Sequence, residues 1–275
     1  MTNETRAMLQ KEILDIFVEV QRVCTELDIQ YFIMGGTALG AVRHGGFIPW
    51  DDDFDIGMTR ENYEKFICHA HDSLKPGYFL QIYQTEEHSP FYFAKVRKDH
   101  TEFIERYCKN LSIHQGIYID IFPYDAVPDD PKERKIYYKK GRQLLNWYIA
   151  KEVTGISTDP GRWKRLALES VRGIMHILMI PVPKQKLYQI VDEYLRQHNH
   201  KKTKMLGYAG LAKIQVPRED VEHPEQILFE NVTVNCPRHI ERYLESNYGK
   251  YWELPPQDQR NGHDVYKMSL QDVKE

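Results

Sequence analysis

Apolar residues recur at steps of three and four from Leu9 through Ile13, Ile16, Val20 and Val23 to Leu27, with charged residues between them. A helix gathers such positions on one face, so the spacing predicts an amphipathic helix. Tyr31 to Met34 is a short apolar strand, broken by Gly35-Gly36, and Thr37 can cap a helix starting near Ala38. The glycines and proline between Arg43 and Trp50 predict a loop. Asp51 to Gly57 reads as a strand and Arg60 to His71 as a helix.

Further strands are predicted at Tyr78 to Tyr83, Phe91 to Arg97, Thr101 to Ile104 and Ile117 to Phe122, separated by turn residues such as Pro76-Gly77 and Ser89-Pro90. From Pro131 the texture changes to three helices, Lys132 to Glu152, Arg162 to Ile180 and Lys184 to His198. One strand at Gln226 to Asn235, a helix from Pro237 and a polar tail after Pro255-Pro256 complete the chain. The fold class is therefore α+β: a mixed sheet with flanking helices and a helical appendage. The expected division is a catalytic core over 1–130, a helical region over 131–217 and a segment over 218–275 that packs back on the core.

The run Asp51-Asp52-Asp53-Phe54-Asp55-Ile56 carries most of the chemical information. On a strand, Asp51, Asp53 and Asp55 share one face while Phe54 and Ile56 point into the core. Like charges so placed repel, and a hard divalent cation offsets the repulsion because it wants oxygen ligands. Mg²⁺ or Mn²⁺ on Asp53 and Asp55 is the expected metal site. A solvated acidic turn is the plain alternative, disfavoured by the interleaved apolar residues. Gly35, Gly36 and Thr37, between strand and helix, are the expected phosphate cradle, since a helix start offers free N–H groups to an anion. Arg43 either clamps a phosphate or stabilises the end of its helix, and His44 beside it has the same two readings.

Composition narrows the class. The chain has 275 residues, 41% hydrophobic and 28% charged, with a formal net charge of -3. That balance gives no general attraction for nucleic acid. The four cysteines are scattered, without metal-knuckle or redox spacing, and fit a reducing, cytoplasmic setting. The N-terminus has no apolar signal core, and no apolar run approaches the ~20 residues needed to span a bilayer. The basic amphipathic stretch from Arg162 to Ile177 leaves two readings open: packing on the core, or peripheral contact with an anionic membrane.

The stretch YFIMGGTALGAVRHGGFIPWDDDFDIGMTRENYEKF closely resembles the LicD family. GIYIDIFPYD, from Gly116 to Asp125, and YGKYWELPPQDQRNGH, from Tyr248 to His263, resemble that family's later blocks. The resemblance implies a nucleotidyltransferase-like fold and transfer of phosphocholine from CDP-choline to a sugar of a surface glycan or its lipid-linked precursor. Related fukutin-type proteins imply polyol phosphates as alternative cargo. By the same resemblance Gly35, Gly36, Thr37, Asp53 and Asp55 build the donor site, and Asp120 supplies a third carboxylate, with Asp125 as the fallback.

The expected reaction is in-line attack of a sugar hydroxyl on the distal phosphorus of a CDP-linked alcohol, with CMP leaving. Asp120 would be a metal ligand or the proton-accepting base. Lys95 and Arg97 would hold phosphate oxygens, or are simply solvated strand charges. Trp50, Phe91, Tyr92, Tyr118 and Tyr124 are candidates for a choline cage. Arg260 and His263 either reach the site or belong to a solvated tail. Two rivals stay open: nucleotidyl transfer from an NTP, and a catalytically silent binding module of the same fold.

Overall fold

The computed structural model describes residues 1–156, 161–211 and 214–270. In chain order the elements are α1 (Asn3–Glu26), β1 (Phe32–Ile33), α2 (Gly35–His44), β2 (Asp55–Thr59), α3 (Arg60–Ser73), β3 (Tyr78–Gln81), β4 (Ala94–Lys98), β5 (Glu102–Glu105) and β6 (Tyr118–Val127). Then come α4 (Pro131–Ala150), α5 (Arg162–Met179), α6 (Lys184–Arg196), β7 (Met205–Gly207), β8 (Gln215–Pro217), α7 (Arg218–Glu222), β9 (Glu225–Phe229), β10 (Val232–Cys236), α8 (Ile240–Tyr248) and β11 (Val265–Ser269).

The main sheet runs β1-β2-β6-β4-β3, extended by β7 on β6 and β8 on β7. β2 and β6 pair in parallel, and the other pairs are antiparallel. This is the α+β architecture that the periodicity predicts. β6 is the central strand, and all ten of its residues are buried. A strand covered on both faces cannot alternate, which is why its apolar run continues past Phe122, where the sequence reading ended it.

The Leu9 to Val23 stripe of α1 is buried as predicted, together with Phe17 and Cys24. The Thr2 hydroxyl accepts from the Thr5 N–H and closes its first turn. Asp130 does the same for α4, accepting from the Lys132 and Glu133 N–H groups, with Pro131 in the first helical turn.

Four local expectations differ from the structure. α2 begins at Gly35, not near Ala38, so Gly-Gly-Thr is the first turn of the helix. β2 begins at Asp55, so Asp51 and Asp53 precede the strand. The predicted strand at Gln226 to Asn235 is a β9–β10 hairpin turning at Glu230, whose φ of 53° supplies the reversal. The polar tail contains β11, which pairs with β5. The last two are invisible to local pattern because their partners decide them.

Candidate active site

The parallel register places Asp55 on β2 directly opposite Asp120 on β6, and the Asp120 N–H donates to the Phe54 carbonyl at 3.0 Å. The antiparallel β4–β6 pair sets Lys95 opposite Asp120, and its ammonium donates to Asp120 Oδ1 at 2.6 Å. Adjacent strands thus bring two carboxylates and one ammonium into line. The Asp51 to Asp53 turn lies beside them: one oxygen from each of Asp51, Asp52 and Asp53 lies within 4.8 Å of the others.

The first turn of α2 closes the other side. Gly35 has φ +57, and a Cβ there would stand 3.1 Å from Asp55 Oδ2, so both backbone and space call for glycine. A Cβ on Gly36 would stand 2.9 Å from Asp51 Oδ2. The Thr37 hydroxyl accepts from the Asp55 N–H at 2.8 Å. The Gly35 N–H donates to the Tyr243 hydroxyl at 3.0 Å, so this particular donor is engaged by protein rather than free for phosphate.

Asp52 is held by His263. The His263 backbone N–H donates to it and the His263 ring bonds it at 2.8 Å. The other ring nitrogen of His263 is 3.9 Å from both Asp53 and Glu105. Gly262 permits this clamp, because a Cβ there would fall 2.2 Å from Asp52 Oδ2.

Electrostatics follow from the crowding. Burial, then the charges of Asp53 and Asp52, push Asp51 up to about 9. Burial likewise raises Asp53 and Asp120, and raises Asp55 strongly, with neighbouring carboxylates adding to the effect at Asp55. Burial alone would lower His263. The bond to Asp52 and the charges of Asp53 and Glu105 outweigh it and bring the ring to about 10. The site is a set of carboxylates short of positive charge, with Lys95 and His263 as the nearby cations.

A cleft of about 990 Å³ opens over this cluster. Asp51, Asp53, Lys95, Glu105, Asp120 and His263 line it, with an aromatic wall that includes Phe91, Tyr118 and Tyr208. Deep clefts with convergent polar groups are where chemistry is sited.

The structure therefore gathers Asp53, Asp55, Asp120, Lys95, Tyr118 and His263 with Gly35, Gly36 and Thr37. It places others elsewhere. Arg43 and His44 end α2, one helix length from Gly35; Arg43 donates to the Tyr251 carbonyl at 2.9 Å, while exposed His44 packs edge-on to Trp50. Trp50 lies under the Arg260 guanidinium, 5.1 Å from ring centre to carbon. Arg97 is buried behind Tyr118, donating to Gln81 and the Gly116 carbonyl at 2.7 Å each. The fallback Asp125 is committed to Arg60 and Asn199. Tyr92 and Tyr124 are buried, bonding Asp192 and Met34. Of the proposed cage, Phe91 and Tyr118 line the cleft, and they hold Lys95: its ammonium is 4.3 Å and 3.4 Å from their ring centres.

Sequence reasoning missed Glu105, Tyr107, Tyr208, Arg142 and Asn146 in the cleft lining. They come from β5, the turn after it, α4 and the segment after β7, and no local motif ties them to the acidic run.

Fold and site together define an α+β protein with a carboxylate centre suited to group transfer. The chain matches the family model described as LicD/FKTN/FKRP, nucleotidyltransferase domain, over residues 28–152. It is 26% identical over 281 residues to the lipopolysaccharide cholinephosphotransferase LicD of Haemophilus influenzae, covering 98% of each chain. Over 34 residues it is 50% identical to the ribitol 5-phosphate transferases FKRP of human and mouse, a match covering 12% of this chain and 7% of theirs.

Proposed function

We propose that this protein moves phosphocholine from CDP-choline to a hydroxyl of lipopolysaccharide or a related surface glycan, releasing CMP. The observation that supports it is one cleft lined by Asp53 and Asp120, with Asp55 paired opposite Asp120, in a chain that aligns over 98% of its length with a lipopolysaccharide cholinephosphotransferase.

The acidic centre fits a divalent cation: Asp53 and Asp55 have raised proton affinity, one oxygen from each of Asp51, Asp52 and Asp53 lies within 4.8 Å of the others, and few cations are nearby. Asp53 and Asp55 would hold it. Bound there, Mg²⁺ or Mn²⁺ supplies neutralisation of the donor diphosphate.

The chain's own groups do the rest. Lys95 opposes the effect of burial on Asp120 and holds it in place through a 2.6 Å bond. His263 bonds Asp52, offsetting its charge, and adds positive charge beside Asp53. Arg142, on the cleft wall, is a cation for the diphosphate oxygens. The acceptor hydroxyl attacks the distal phosphorus, the bond to the CMP oxygen breaks, and Asp120 takes the hydroxyl proton. The aromatic wall offers ring faces to a quaternary ammonium. All four cysteines are free thiols, which suits a reducing cytoplasm.

The test is a donor screen with Mg²⁺, following thermal stabilisation and CMP release with CDP-choline, CDP-ribitol and CDP-glycerol beside CTP and ATP. CDP-choline is expected to stabilise most and to release CMP. Selective stabilisation by CTP or ATP would replace this reading with nucleotidyl transfer, and CDP-ribitol in first place would replace the cargo.

A further inference from the structure

Helix α5 is folded inside out. Its partly buried side carries Arg165, Glu169, Arg172, His176 and Met179. The His176 ring bonds the carbonyl of Ala150, at the end of α4, at 2.9 Å. Its solvent side carries Trp163, Leu166, Val171, Ile174, Ile177 and Leu178; Trp163 is 79% exposed, Ile174 59% and Ile177 64%. A helix that faces only water has the opposite arrangement, because contiguous exposed apolar surface is unfavourable. The partly buried side packs on α4 and leaves the apolar stripe facing outward.

The charge around the stripe says what it faces. Between Pro131 and Lys202, lysines and arginines outnumber aspartates and glutamates 16 to 6, in a chain whose formal charge is -3. Lys164 and Lys186 are exposed on α5 and on α6, which follows it. A groove of about 470 Å³ between α4 and α5 has Lys139, Arg142 and Arg172 in its lining next to Leu168 and Val171. Within it, Arg172 Nη1 is shielded from solvent and has no hydrogen-bond partner among the described residues. Among the described residues no single helix is long and apolar enough to cross a membrane, and α5 and α6 meet at 109°. The arrangement is that of a helix lying in an interface, with apolar groups below and cations at headgroup level.

We propose that α5 docks this protein flat on an anionic lipid bilayer. Trp163, Ile174 and Ile177 enter the acyl boundary, and Lys139, Lys164 and Arg172 meet headgroup phosphates. Arg142 and Asn146 line both the groove and the carboxylate cleft, so docking brings the cleft close to the bilayer surface. Resting on the transfer reading above, that geometry favours acceptors anchored in the same surface.

The experiment sediments the full-length protein with vesicles of phosphatidylcholine alone or mixed with phosphatidylglycerol, at low and high salt. Binding to the anionic vesicles is expected to exceed binding to neutral ones by about tenfold or more and to weaken with salt. Tryptophan emission should shift to the blue, with the shift reduced in Trp163→Phe. The double variant Ile174→Ser, Ile177→Ser should keep its circular dichroism and its CMP release from CDP-choline in solution, yet lose about tenfold or more of vesicle affinity. Absence of binding to anionic vesicles, or unchanged binding by the double variant, overturns the proposal. A concentration-dependent dimer that the same substitutions dissolve would overturn it in favour of a second copy on this face. Absence of CMP release by the unaltered protein, with its binding to anionic vesicles intact, would count against the transfer reading and leave the docking helix standing.

Discussion

His263 holds Asp52 from 211 residues away, its ring nitrogen 2.8 Å from one carboxylate oxygen and its backbone N–H donating to both. The contact ties the C-terminal segment to the acidic turn and offsets one of its negative charges. His263→Ala should free Asp52, loosen that segment and cost about 1.5 kcal/mol, the lower end for a charged hydrogen bond because the ring is about a third exposed. Transfer should fall by about tenfold or more. His263→Asn, which keeps an amide donor near the ring nitrogen, should recover part of both. Urea denaturation and CMP release measure the two effects, and a fully active His263→Ala protein would remove the clamp from the mechanism.

The acidic cluster predicts how stability depends on pH. Asp51 is held up to about 9, so the folded state keeps a proton that the unfolded chain releases near 4. Its contribution is present below about 4 and is lost as pH rises toward 9. His263, raised to about 10, acts in the same direction: its contribution is full below about 6.5 and gone above 10. Metal-free protein should therefore lose stability between pH 6.5 and 9, and Mg²⁺ or Mn²⁺ should restore more of it at the alkaline end. Thermal melts with and without cation at each pH check this. Asp53→Asn should raise the metal-free melting temperature and abolish the gain from cation.

Lys95 and Asp120 form an almost fully enclosed ion pair. Lys95→Met would leave Asp120 buried without its cation, a loss of about 3–5 kcal/mol. The double variant Lys95→Met, Asp120→Leu should regain much of that stability and none of the activity, since it removes the stranded charge along with the candidate base. Denaturation of the two variants beside the unaltered protein separates the two effects. Equal stability for the single and double variants would contradict the pairing.

Gly35→Ala combines a left-handed backbone with a methyl 3.1 Å from Asp55 Oδ2. About 1–2 kcal/mol of backbone strain is expected, together with displacement of Asp55. The signature is weaker cation-dependent stabilisation in a protein that still folds. Gly45→Ala, at another positive φ with open space around it, is the control and should show the strain without the loss of cation response.

Much was legible locally. The α1 stripe, the strand-helix-strand order around Gly-Gly-Thr, and the acidic run before an apolar strand all follow from short-range periodicity, because each buries a face whose spacing is written in adjacent residues. The LicD resemblance rests on those same contiguous blocks. What the sequence by itself determined, then, is the class of fold and the acidic run that carries the proposed chemistry. Only the tertiary structure decided which cations serve that run. Register between β2, β6 and β4 aligned Asp55, Asp120 and Lys95, and chain return brought His263 to Asp52. It also decided that Arg43 and Arg97 spend their charges on backbone carbonyls, and that α5 turns its apolar side outward. Side-chain period says which residues share a face, but packing against distant neighbours says which way that face looks.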